Sequence, residues 1–212
     1  MESPRYLMAV DPSLTCSGWA LFSIEEGNLV AVGKIKSDPP KVSLALRMQK
    51  LQERVGGVFA KIGLGAHDIL VCEAPTTMKD PHNTIKVEQV RGLFESGART
   101  LGATVPGRIN PRSVQYEVMG LKGKQVARAE VKQAAVRTAL YLFAPRLEQL
   151  GLIPDEVELK RHQDIIDALL IGRLALIRVK SARDAGLAVE SSFDTQTVQS
   201  RRSWRVRACG AP

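Results

Sequence analysis

The amino-acid sequence predicts an α/β domain built on a mixed five-stranded sheet flanked by helices. Three observations predict it. Two short apolar segments, "YLMAVD" (6–11) and "DILVCEAP" (68–75), each run into an acid with a proline close behind, as buried strands leaving a sheet do. Two further apolar runs, 18–24 and 29–36, flank the turn "EEGN" and read as a hairpin. Beyond them, segments with the 3.6-residue apolar period of helices alternate with strands. The order β-β-β-α-β-α-β-α-α puts helices on the faces of a mixed sheet.

Each element has a local reason. Residues 6–11 alternate poorly and read as a buried strand ending at Asp11, and "SDPPK" breaks the sheet after residue 36. Residues 42–63 set Leu44, Met48, Leu51, Val55, Val58 and Phe59 at helical spacing, and Gly63 and Gly65 end that helix. "TTMKDPH" is a polar loop, after which 83–102 reads as a helix with Asn83 as its N-cap. "ATVPGRINP" (103–111) is the last strand, "RSVQYEVMG" a short helix and "LKGK" a basic loop. Residues 127–145 form a helix that Pro145 stops, "GLIPDEVE" is a turn, and 161–180 is a strongly apolar final helix.

At 212 residues the chain fits one domain, taken as 1–180, plus a basic tail at 181–212 rich in Ser, Thr, Gln and Arg. No apolar stretch reaches the roughly 18–20 residues that a membrane span needs. "MESPRY" carries an acid and a proline and is not expected to be a signal peptide. Cys16, Cys72 and Cys209 lack ligand-like spacing, which points to a reducing, cytoplasmic compartment. The net charge of +8 favours a polyanionic partner such as nucleic acid.

The acids are the informative residues. Reactive groups in an open α/β sheet gather where strands end, and Asp11 and Glu73 each occupy such an end. If those strands are parallel neighbours, the two carboxylates sit side by side and repel unless a cation joins them. In "HQDIIDALL", Asp164 and Asp167 are at i and i+3, on one face of an otherwise apolar helix. A hard divalent cation takes oxygen ligands and keeps several waters, so two to four carboxylates suffice. The alternative leaves Asp11 as a turn residue and one of the later pair facing solvent near the helix N-terminus.

These segments resemble RuvC-type Holliday junction resolvases of the retroviral-integrase and ribonuclease-H superfamily. "AVDPSLTCSGWAL" is similar to the family's first motif, "LVCEAP" to its second, "EQVRGLF" to its Gln-x-Arg-Gly segment, and "HQDIIDALLIG" to its closing Asp-x-x-Asp-Ala-Leu signature. "INPRSVQYEVMG" followed by "VKQAAVRTAL" resembles the stretch between them, and the motifs run in family order over residues 5–178. The resemblance implies a ribonuclease-H-like fold in which Asp11, Glu73, Asp164 and Asp167 bind two Mg²⁺ or Mn²⁺ ions. One ion would activate water and the other would stabilise the leaving 3′-oxygen, so that four-way junctions are resolved by paired symmetric nicks. It further implies a homodimer, with Val90, Leu93 and Phe94 near the two-fold axis, a branch-migration helicase or DNA-packaging partner, and a cytoplasmic, nucleoid-associated enzyme of a bacterial or phage-infected cell. Ser13 and Ser17 stand where the family has glycine and threonine, and Gln115 where it has lysine. The loop after Glu73 lacks the family's aromatic wedge, for which Met78 is a substitute, and Met78 and Lys79 are expected to contact DNA.

Seven basic residues against two acids lie between Arg108 and Arg137. Of these, Arg112, the Lys122 and Lys124 loop, and Arg128 and Lys132 at i, i+4 are expected to contact phosphates, together with Arg91. Rival readings are a flap, branched-DNA or RNA–DNA hybrid nuclease, an actin-like ATPase or kinase fold, and a non-catalytic DNA-binding scaffold. The second would need further phosphate and adenosine motifs and a longer chain, and the third predicts loss of an acid.

Overall fold

The structure, a computed structural model, describes residues 5–75, 80–121 and 126–193. Strands β1 (Tyr6–Asp11), β2 (Cys16–Ser23) and β3 (Leu29–Lys36) form an antiparallel meander. Strand β4 (Asp68–Glu73) returns parallel to β1, and β5 (Arg108–Ile109) lies parallel to β4, giving the order β3-β2-β1-β4-β5. The mixed five-stranded sheet expected from the sequence is present.

Strand alternation sorts the core into two layers. Met8, Val10, Leu70 and Cys72 face helices α1 (Leu44–Ile62) and α2 (Pro81–Thr100). Leu7, Ala9, Ile69 and Val71 face α4 (Arg128–Gln149) and α6 (Gln163–Asp184). Short turns complete the chain: α3 (Pro111–Ser113) runs into a π turn at Val114–Val118, and α5 (Glu156–Leu159) precedes α6. Helix α6 is buried on nearly all sides and packs directly on β1 and β2, where glycines let it approach. A Cβ on Gly172 would lie 2.2 Å from the Phe22 ring and 3.0 Å from Ala9 Cβ.

Several expected boundaries move, each for a physical reason. Asp80, not Asn83, caps α2: its carboxylate accepts the Asn83 N–H at 3.2 Å, and Pro81 takes the first turn, where its missing N–H costs nothing. The strand expected over 103–111 shrinks to two residues and an isolated bridge at Thr104, because Pro106 and Gly107 intervene. Pro145 does not stop its helix; α4 runs on to Gln149. The carbonyl that Pro145 deprives of a donor belongs to Tyr141, on the exposed face, where water can satisfy it. Helix α6 continues past residue 180 to Asp184, and Phe193 packs into the core, so the folded body extends beyond the expected start of the tail. No described helix is long and apolar enough to cross a membrane.

Replacing Gly172 by Ala should destabilise the fold by about 1–3 kcal/mol, because the Phe22 ring it meets is itself fully buried against Phe143. Urea denaturation of the two proteins, compared at their midpoints, checks this.

Candidate active site

The site rests on one cross-strand row. Val10 pairs with Cys72, so Asp11 and Glu73 stand one residue further along adjacent parallel strands. Asp11 also pairs with Gly18 on β2, and Gly18 with Lys34 on β3. Residues in register on neighbouring strands share a face. Glu73, Asp11, Gly18 and Lys34 therefore line up across four strands, on the side that α6 covers. Gly18 leaves the gap into which α6 settles, since a Cβ there would sit 1.8 Å from the Asp164 carbonyl oxygen. Gly18 thus gives α6 room, and that contact delivers Asp164 and Asp167 to the row.

The loop between β1 and β2 is closed by Ser17, which is fully buried. Its hydroxyl accepts the Ser13 N–H and donates to the Ser13 carbonyl, both at 2.9 Å. The hydroxyl shared with threonine is the part that this turn uses.

Electrostatics distinguish these acids from other acids of the fold. Asp68, at the start of β4, is also buried, but its oxygens accept the Tyr6 N–H at 3.1 Å and the Gly65 N–H at 2.9 Å. Among the described residues, no backbone N–H donates in this way to Asp11 or Glu73. Burial, then Glu73, Asp167 and Asp164, push the Asp11 carboxyl well above its ordinary range, with Arg91 partly opposing. Burial and Asp167 push Glu73 up to about 7, against Arg91 and a hydrogen bond from Asp11. Burial also raises Asp167, whose partner is the Gln163 amide at 2.9 Å; Lys132 and Arg128 act in the opposite sense. Asp164 pairs with Lys34 at 3.4 Å, and Lys34 also donates to the Arg161 carbonyl at 3.1 Å. Burial and the Asp164 carboxylate beside it push the Cys16 thiol up to about 11, an inert thiol.

Among the described residues, no three His, Cys, Asp or Glu side chains close on a common point as they stand. Asp11 and Glu73 touch, while Asp164 and Asp167 are turned to Lys34 and Gln163. The donor set nevertheless fits a hard cation: all-oxygen, desolvated and mutually repelling, so positive charge is what the cluster lacks.

A cleft of about 900 Å³ opens beside Glu73, with Pro12, Ser13, Arg112, Gln115, Tyr116 and Arg128 among its walls. A smaller recess of about 230 Å³ reaches Asp167 and is lined by Arg128 and Lys132. Arg112, Arg128 and Lys132 are exposed and make no ion pair among the described residues. Arg91, expected on the DNA, is instead buried behind Glu73. Arg108 and Arg137 are bound to Glu95 and Glu156. Met78, Lys79, Lys122 and Lys124 lie outside the described residues, as do the tail arginines. Sequence reasoning missed Lys34, and it missed Tyr116, an aromatic ring 57% exposed on the cleft wall.

The cluster sets a pH dependence in chelator. Glu73 holds its proton in the fold to about pH 7 but loses it near 4.5 when unfolded. The stability this confers is complete below pH 4.5 and is lost as pH rises through about 7. With EDTA present, Tm should therefore fall between pH 5 and 8, and Asp11→Asn should raise Tm at pH 8 by relieving the repulsion. Differential scanning fluorimetry across that range reads both effects.

No family model matches the chain. Curated relatives do. It is 30% identical over 119 residues to the crossover junction endodeoxyribonuclease RuvC of Sphingopyxis alaskensis, covering 55% of this chain and 73% of that protein. It is 30% identical over 128 residues to the RuvC of Erythrobacter litoralis, covering 58% and 74%. Among solved structures, Thermus thermophilus RuvC in complex with Holliday junction substrate superposes with a TM-score of 0.59 at 16% identity, over 83% of this chain and 95% of that one. A second Thermus thermophilus RuvC structure gives 0.57 at 17% identity, over 86% and 98%. The ribonuclease-H-like sheet, the row of acids it carries and these relatives agree: the chain belongs to the RuvC family of crossover junction endodeoxyribonucleases.

Proposed function

We propose that this protein is a divalent-metal-dependent endonuclease that resolves four-way DNA junctions by paired nicks. The observation that carries the reading is the row of acids at the ends of β1 and β4, completed by Asp167 and Asp164 from α6, in a chain of the RuvC family. Asp11, Glu73 and Asp167, with Asp164 once it leaves Lys34, would hold two Mg²⁺ or Mn²⁺ ions. Bound there, such ions supply Lewis-acid polarisation of the scissile phosphate and of the attacking water.

The chain's own groups do the rest. Strand register sets Asp11 and Glu73 side by side, and the Ser13–Ser17 turn keeps the loop beside them compact. Arg112, Arg128 and Lys132 hold the DNA backbone along the cleft, where their charges are free for phosphates. Such contacts position DNA without reading sequence. We take residues 5–193 as the nuclease body. A homodimer suits two symmetric cuts. The groove of about 440 Å³ between α1 and α2, lined by Gly56, Leu93 and Gly97, supports that face as the two-fold contact. Val90 and Phe94 are core instead, at 0% exposure.

Labelled four-way, flap, hybrid and linear substrates with Mg²⁺ or Mn²⁺ test the reading. Symmetric nicks confined to junctions, abolished by Asp11→Asn, are expected; cleavage that persists in Asp11→Asn would remove the site. In the Asp11→Asn background, Arg128→Ala should weaken binding to every DNA alike and reduce the salt slope by about one. Light scattering should give twice the 23.2 kDa chain mass, and a strict monomer that makes paired cuts would overturn the dimer.

A further inference from the structure

Arg91 is 1% exposed and is the bulkiest of the fully buried side chains. A buried guanidinium needs a compensating set of acceptors, and the origin of its first one is instructive. Its Nε donates to the Glu73 backbone carbonyl at 2.7 Å. In β4 the Leu70 and Ala74 amides donate to Thr104 and Ile109 on the β5 side. Alternation turns the backbone groups of odd-numbered residues, Glu73 included, towards β1. With Val10 beside Cys72, the amide in register to donate to the Glu73 carbonyl is that of residue 12. Residue 12 is proline and has no N–H. The ladder therefore ends one donor short at the residue whose carboxylate serves the site.

The far side of the guanidinium is also tied down. Arg91 Nη1 donates to Glu88, whose other oxygen accepts from Arg108 Nη1 at 3.2 Å. Arg108 in turn forks onto Glu95 through Nε at 2.7 Å and Nη2 at 3.1 Å. This chain clamps α2 and β5 to the end of β4. We propose that Arg91 is a positioning residue for Glu73: it supplies the backbone donor that Pro12 cannot, and it does not touch DNA. The proposal rests on the reading of Glu73 as a metal-holding acid.

The test uses the full chain with Arg91→Gln, Arg91→Lys and the double variant Pro12→Ala/Arg91→Gln. Mn²⁺ affinity is read without DNA by electron paramagnetic resonance, junction Kd in Ca²⁺, and the single-turnover rate at saturating junction in Mg²⁺. Loss of an outer partner of a metal-holding residue lowers affinity or rate by about 10–100-fold. Arg91→Gln should show losses of that size in Mn²⁺ affinity and in the saturating rate, with junction Kd within about twofold and its salt slope unchanged. Pro12→Ala, which returns an N–H to the ladder, should recover part of both losses. A weakened junction Kd with a smaller salt slope, at unchanged Mn²⁺ affinity and saturating rate, would make Arg91 a phosphate contact and overturn the proposal. So would unchanged values throughout. Should Arg91→Gln fail to fold, Arg91→Lys keeps the buried charge but cannot reach Glu73 and Glu88 together, and the same pattern is expected of it. A wild-type protein that binds Mn²⁺ but cuts no junction would refute the nuclease reading alone, since the Mn²⁺ comparison still reports on Glu73.

Discussion

Two carboxylates held side by side at the ends of parallel strands are the constraint on which the rest of this structure turns. Parallel pairing of β1 with β4 leaves Asp11 and Glu73 no choice of face, and both point towards α6. Their burial and mutual repulsion work against ionisation. Everything nearby answers that conflict. Arg91 lies behind Glu73, Lys34 stands at the far end of the row against Asp164, and Arg128 and Lys132 act on Asp167 from α4. No single one neutralises the cluster, which is the electrostatic condition a metal-binding nuclease requires.

The same row links fold to chemistry. Gly18 is a packing residue in its immediate contacts, yet its missing side chain lets the first turn of α6 descend onto the sheet. Without that approach, Asp164 and Asp167 would not reach the strand ends. Gly172, eight residues further along α6, has the same relation to Phe22 and Ala9. The helix that carries half the acids is thus seated at two points where the sheet and the helix meet without a side chain between them.

Much of this was legible in the sequence, and the illegible parts share a cause. The strands at 6–11 and 29–36 matched their apolar runs to the residue, and the four acids stood out because charge at the end of an apolar run is expensive. The face that Lys34 occupies could not be read. Extending the Phe22–Leu29 pairing would set Lys34 beside Ser17, on the other face; the irregularity between Leu21 and Phe22 shifts it to Gly18. Arg91 was misjudged for a similar reason. In a helix read alone it pairs with Glu88 three residues earlier, as a surface cation would; the acceptor that buries it is the Glu73 carbonyl of β4, and the Arg108 that shares Glu88 lies 20 residues further along. Periodicity reports which residues are apolar, whereas these roles depend on register and tertiary pairing.

The central claim is that the row of acids at the ends of β1 and β4 gathers divalent cations. Crystals of the protein soaked in Mn²⁺ and measured at a wavelength where manganese scatters anomalously test it most directly. The account predicts anomalous density against Asp11 and Glu73, with Asp167 joining them and Asp164 turned away from Lys34. Density elsewhere on the surface, or none at the acids while Asp164 still pairs with Lys34, would contradict it.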